Sequence, residues 1–186
     1  MRILHLTKEQ YKTSTWSGGT TTELFIWPLG ADYAAREFSF RVSSAAVELA
    51  ESDFTPLYQV ERWITPLSGG FTLTHPGKTP VKMAPLDGPY RFSGEEATHC
   101  VGQATDFNLM LKGVAGEMTI AQGEAVIKPG CNCFYAMEEA VFQLDIAHRM
   151  AAGDLLVVFA QQEAAIKLGS EPVIVCRVEN VQWENL

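Results

Sequence analysis

Two arginines and a few polar partners on short alternating segments are the side chains of this sequence best suited to holding a small charged molecule. In Phe38-Ser39-Phe40-Arg41-Val42-Ser43, apolar and polar residues alternate, so a strand there places Arg41 and Ser43 together on the face opposite Phe40 and Val42. With Phe40 packed on one side, Arg41 points either into an enclosed lumen or out to water. An enclosed guanidinium keeps its charge, and its rigid fork of donors fits a carboxylate through two parallel hydrogen bonds. Arg62, at the start of a later strand candidate, is a second donor of this kind. Asp106 and Asn108 stand two residues apart and share one face of their strand. With Glu23 they complete a polar set drawn from four separate segments.

That set has two readings. In one, Glu23 and Asp106 pair with Arg41 and Arg62 and only brace the fold. In the other, one guanidinium is left over for an anionic guest. Trp16 is either an apolar wall of such a pocket or a core residue. The run Trp16-Ser17-Gly18-Gly19-Thr20-Thr21-Thr22-Glu23 reads as a tight loop rimmed with hydroxyls, from which Thr20 and Thr22 would either reach a ligand or close the loop. Phe54, Trp63, Tyr90 and Phe92 read as core or seam residues.

Other chemistries lack their residues. His5, His75, His99 and His148 are isolated, whereas a metal centre needs several imidazoles and carboxylates converging on one point. Cys131 and Cys133 could offer two thiolates to zinc, but no second Cys or His pair stands at a matching distance. We therefore expect no metal and no other cofactor. A G-x-S-x-G elbow, a Walker loop and a dinucleotide G-x-G-x-x-G are all missing, and the Gly18-Gly19 pair is followed by no lysine that would make it a phosphate cradle.

The elements that must position the polar set are short and β-rich. Strand candidates are Leu24 to Trp27, Phe38 to Val42, Arg62 to Leu67, Phe71 to Thr74, Phe107 to Lys112, Met118 to Ile120, Phe142 to Ile146, Leu155 to Ala160 and Val173 to Arg177. Turn signals separate them at Ser68-Gly69-Gly70, His75-Pro76-Gly77, Asp87-Gly88-Pro89 and Pro129-Gly130. Only Thr7 to Gln10 reads as a helical turn, from its capping-box spacing. The rhythm is that of an all-β sandwich or barrel. Lys112-Gly113-Val114-Ala115-Gly116 is a joint between two halves, and Gly123-Glu124 followed by Pro129 and Gly130 is similar to a cupin-type turn in which Asn132 and Cys133 stand where a metal-binding His would be.

Composition narrows the partners. The 186 residues are 47% hydrophobic and 19% charged, ordinary for a globular protein. Fourteen Lys and Arg against 22 Asp and Glu leave a net charge of −8, and the scattered basic residues form no patch for a nucleic acid or an anionic membrane. The longest apolar run, Leu155 to Ala160, is too short to cross a bilayer. Residues Met1 to Leu6 lack the features of a secretion signal, so a cytoplasmic location is expected, with Cys100, Cys131, Cys133 and Cys176 as reduced thiols.

Five motifs in register carry a family resemblance: WSGGTTTEL from Trp16, FSFRVSSAAV from Phe38, DFTPLYQVERWITPLSGG from Asp53, PYRFSG from Pro89 and DFNLM from Asp106. Together they resemble the HutD/Ves family over Trp16 to about Gly113. The similarity fades to a general strand pattern afterwards. Around Trp16 the loop is shorter than the family's, and Thr22 precedes Glu23 where a basic residue is usual. The resemblance implies an all-β bicupin, that is, two fused double-stranded β-helix (jelly-roll-like) barrels. Residues 1–112 would form the first barrel, with the pocket, and residues 113–186 a second, degenerate barrel, tightly packed as one unit. It also implies an association with histidine utilisation in some bacteria.

Two functions follow as expectations. In the first, the protein binds a small carboxylate without catalysis, through Arg41, Arg62, Glu23, Ser43, Asp106, Asn108, Trp16 and Thr22, and senses or buffers a histidine-breakdown intermediate. In the second, it is a metal-independent isomerase or epimerase with Glu23 and Asp106 as acid and base. An exposed sheet edge would also serve a homodimer.

Overall fold

The computed structural model describes residues 1–183. Their regular elements are strands, apart from one short 3-10 turn. The chain divides into two compact units, Lys12–Gly113 and a second one that joins Met1–Tyr11 to the residues from Val114 onward. The first strand, β1 (Arg2–Leu6), belongs to the second unit, and the 3-10 turn Lys8–Gln10 follows it. The turn's start has the capping contact anticipated from the spacing, the Thr7 N–H donating to Gln10 Oε1 at 2.9 Å.

The Lys12–Gly113 unit holds β2 (Lys12–Trp16), β3 (Gly19–Trp27), β4 (Phe40–Val47), β5 (Glu51–Asp53), β6 (Val60–Gly69), β7 (Phe71–Thr74), β8 (Val81–Met83), β9 (Tyr90–Ser93), β10 (His99–Val101) and β11 (Ala104–Lys112). They form a six-stranded sheet in the order β2-β3-β4-β11-β6-β9 and a four-stranded sheet in the order β5-β10-β7-β8. A core cluster contains Ile64 and Phe92 of the larger sheet with Phe71, Leu73, Met83 and Cys100 of the smaller one, so the two sheets face each other across it. A second cluster gathers Ile26, Phe38, Leu57, Val60 and Met110.

The other unit adds β12 (Gly116–Ile127), β13 (Gly130–Ala136), β14 (Ala140–Gln143), β15 (Ala147–Met150), β16 (Leu155–Ala160) and β17 (Ala164–Val178). Its seven strands run β1-β16-β13-β17-β14-β15, with β12 also paired to β17. Phe134, Phe142, Leu156, Val158, Ile166 and Val175 lie in its core. Met1–Tyr11, expected with the first barrel, joins this unit because β1 pairs antiparallel with β16 from Arg2 opposite Phe159 to Leu6 opposite Leu155.

The alternation read as one strand from Phe142 to Ile146 is interrupted. β14 ends at Gln143, which pairs with Ala147 of β15, so residues 144–146 are the hairpin connection and Ile146 is 66% exposed. Three alternating residues are too few to distinguish a strand from a tight turn. Asn132, in the cupin-like turn, staples that turn instead: its Oδ1 accepts from the Lys128 N–H and its Nδ2 donates to the Lys128 carbonyl. All four cysteines are buried and free. No helix of the described residues is long and apolar enough to cross a membrane.

Candidate functional site

The inner face of the six-stranded sheet changes from apolar to polar along its length, and strand register explains how. Met110 of β11 stands between Arg41 of β4 and Arg62 of β6, so the three form one row across adjacent strands. Two residues along, Asn108 lies opposite Ser43, and two further, Asp106 lies opposite Ala45. Because side chains alternate with period two, all of these share one face. On β3, Glu23 pairs with Ser43 and Thr21 with Ala45, and both therefore join that face. A bulge between Glu23 and Phe25 then resets the phase, so that Phe25 stands opposite Val42 and is buried away from the polar row.

This polar row opens into a cavity of about 580 Å³ lined by Arg41, Arg62, Ser43, Asp106, Asn108 and Met110 on the sheet, and by Trp16, Tyr33, Arg36 and Phe54 around it. The size and the mixture of apolar wall with a few convergent polar groups suit a small molecule. Trp16 is 39% exposed, and its indole lies across Gly18, where an added Cβ would come 2.1 Å from the ring. Gly18 is thus required for the tryptophan to lie where it does.

The two arginines differ in their partners. Arg41 donates from Nε to Glu23 Oε2 at 2.7 Å and from Nη1 to Ser43 Oγ at 3.2 Å, and its guanidinium lies 4.0 Å from the centre of the Tyr33 ring. Arg62 has only long contacts from Nε and Nη2 to Asn108 Oδ1, at 3.4 and 3.3 Å. It forms no ion pair within 4.0 Å among the described residues. Phe54 and Phe92 lie 4.7 and 5.2 Å from its guanidinium carbon, contacts that soften but do not neutralise its charge. Burial lowers the Arg62 pKa, and the nearby Asp106 acts in the opposite direction.

Asp106 shows the converse. Burial pushes its carboxyl up to about 6, against the pull of Arg62, Asn108 and a backbone hydrogen bond from Ala45, and its side-chain contact with Asn108 Nδ2 is long, at 3.5 Å. The site thus contains a neutralised pair, Arg41 with Glu23, beside a guanidinium and a carboxyl that are both buried and weakly partnered. Such groups are costly unless something completes their hydrogen bonds.

Of the residues singled out from sequence, Arg41, Arg62, Glu23, Ser43, Asp106 and Asn108 come together on one face, and Trp16 stands at the edge of the cavity. Thr22 does not: it faces the other way, opposite Ser44 in register and bonded to Thr13 Oγ1 at 3.0 Å, while Thr21 lines the cavity. Sequence reasoning could not set the phase of β3 without its partner strand. It also missed Tyr33 and Arg36, which sit on the irregular connection between β3 and β4; Phe54, read as a core or seam residue, packs against the Ile64, Phe71 and Phe92 cluster and lines the cavity as well. The only signal for the first two was an aromatic and a basic residue three apart in a loop. Among the described residues, no group of three or more His, Cys, Asp or Glu is placed to hold a metal ion.

Comparison with curated proteins returns no match. Among solved structures, HutD from Pseudomonas fluorescens is similar at a TM-score of 0.82 and 19% identity, covering 97% of this chain and 100% of that one. The conserved protein PA5104 from Pseudomonas aeruginosa is similar at 0.81 and 23% identity, covering 96% and 98%. Oxalate decarboxylase from Bacillus subtilis, a cupin-type protein, is similar at 0.60 and 9% identity, covering 95% and 76%. These likenesses establish the all-β, cupin-like fold. The HutD family model matches residues 8–175, most of the chain and both of its units, and the protein belongs to the HutD family.

Proposed function

We propose that the protein is a metal-independent bicupin whose Lys12–Gly113 unit binds a small carboxylate, in the role of a sensor or buffer of an intermediate of histidine utilisation in the cytoplasm. The observation that carries the reading is Arg62: a buried guanidinium, facing a cavity, with no acidic group in ion-pair range among the described residues. A buried cation without a counter-charge is unfavourable, and a carboxylate on its fork of donors would reduce that penalty. Family membership and a similar structure solved in a formate condition agree with a small carboxylate guest.

Titration calorimetry with formate, urocanate, formiminoglutamate and formylglutamate tests this. At least one is expected to bind and to raise the melting temperature, and Arg62→Met is expected to lower its affinity by about tenfold or more while leaving the fold intact. No binding by any of the four at millimolar concentration would overturn the reading.

A second reading, acid–base catalysis across the lumen, draws on Asp106, whose carboxyl is held at about 6 by burial and so lies near the range of a working general base. Its expected partner Glu23 is already committed to Arg41 at 2.7 Å. Turnover of any of these compounds that vanishes in Asp106→Asn would favour it.

A further inference from the structure

Arg62 and Asp106 share the wall of one cavity, carry opposite charge, and are both almost fully buried, at 7% and 4% exposure. No ion pair within 4.0 Å joins them. The amide of Asn108 lies between them instead, its Oδ1 accepting from Arg62 at 3.3 Å and its Nδ2 donating to Asp106 at 3.5 Å. Both contacts are at the long limit for a hydrogen bond. Each charge is therefore desolvated and without a close ion-pair partner among the described residues, and the two stand side by side at the same opening.

A guest bearing only a carboxylate would satisfy half of this arrangement. It would meet Arg62 but bring a second negative charge close to the Asp106 carboxylate, and like charges in a site of low dielectric oppose each other. A guest with a carboxylate at one end and a protonated nitrogen at the other would meet both groups, and the methylenes between them would lie on the apolar surface of Met110 and Leu57, which also line the cavity.

From this geometry we infer that the ligand class is zwitterionic: a short amino acid, or a close relative, whose carboxylate takes the fork of Arg62 and whose ammonium donates to the Asp106 carboxylate. The inference rests on the carboxylate reading above and narrows it.

The test is calorimetry on the full chain at about pH 8, where a carboxyl that titrates near 6 is ionised, with three matched pairs: glycine and propionate, β-alanine and butyrate, 4-aminobutyrate and pentanoate. In each pair an ammonium replaces a methyl group of nearly the same size, and the series varies the distance between the ends. One amino acid is expected to bind about tenfold more tightly than its isostere, as a charge-assisted hydrogen bond to a buried partner would provide. That preference is expected to vanish in Asp106→Asn, with affinity for the fatty acid kept or improved, whereas Arg62→Met weakens both members of the pair.

Fatty acids that bind with no amino acid exceeding its isostere would overturn the inference and leave the carboxylate reading standing. An ammonium preference that survives in Asp106→Asn would overturn the assignment of Asp106. Failure of all six compounds, together with the four carboxylates named earlier, would remove both readings. The isostere comparison in the unaltered protein needs no variant, so it decides the matter even if Asp106→Asn fails to fold.

Discussion

Arg41 and Arg62 occupy equivalent positions on either side of Met110, yet their surroundings give them different work. Arg41 has a carboxylate at 2.7 Å and an aromatic ring against its face, so it braces the wall and holds Glu23. Among the described residues Arg62 has no such carboxylate, and it keeps donors to spare. Asp106 offers a check on this balance that needs no ligand. Its pKa is raised to about 6 by burial, so between roughly pH 4 and pH 6 the native state holds a proton that the unfolded chain has released. Stability falls as pH rises across that window. Replacing the carboxyl with an amide removes the effect. The melting temperature of Asp106→Asn minus that of the parent is therefore expected to increase from about pH 4.5 to about pH 7.5, and a difference independent of pH would show that Asp106 carries no buried charge.

At the scale of elements, the site depends on how β3, β4, β11 and β6 are aligned. Gly19 begins β3 with φ of +145°, and a Cβ there would lie 1.9 Å from the Ala46 carbonyl oxygen. Gly19→Ala is expected to cost about 2 kcal/mol or more, from a forbidden conformation and a backbone clash together, and to weaken ligand binding because Thr21 and Glu23 follow on the same strand. Thermal melting and the calorimetry above would read both effects. Alternation in the sequence was enough to place Arg41 with Ser43, and Asp106 with Asn108, because each pair lies within one unbroken strand. It failed where a neighbour decides: the bulge in β3 sets which of Thr21 and Thr22 faces inward. It was silent for Tyr33 and Arg36, whose loop has no period, and for short strands such as β5, β8 and β10, whose three residues each carry too little pattern to read.

For the whole molecule, all-β architecture was legible from the density of strand and turn signals, whereas membership of β1 in the second unit was not, because pairing across 150 residues leaves no local trace. The same buried strands make a prediction about reactivity. Cys100, Cys131, Cys133 and Cys176 are all unpaired and buried, and burial raises the thiols of Cys100, Cys131 and Cys176 above their ordinary range. A thiol reagent is expected to label none of them in the native protein and all four after denaturation, and rapid native labelling would contradict the burial. The placement of β1 also bears on the order of events during synthesis. β1 is made well before Leu155–Ala160, the segment it must pair with. The unit whose strands all lie within Lys12–Gly113 is complete in the nascent chain while β1 still lacks the strand it pairs with.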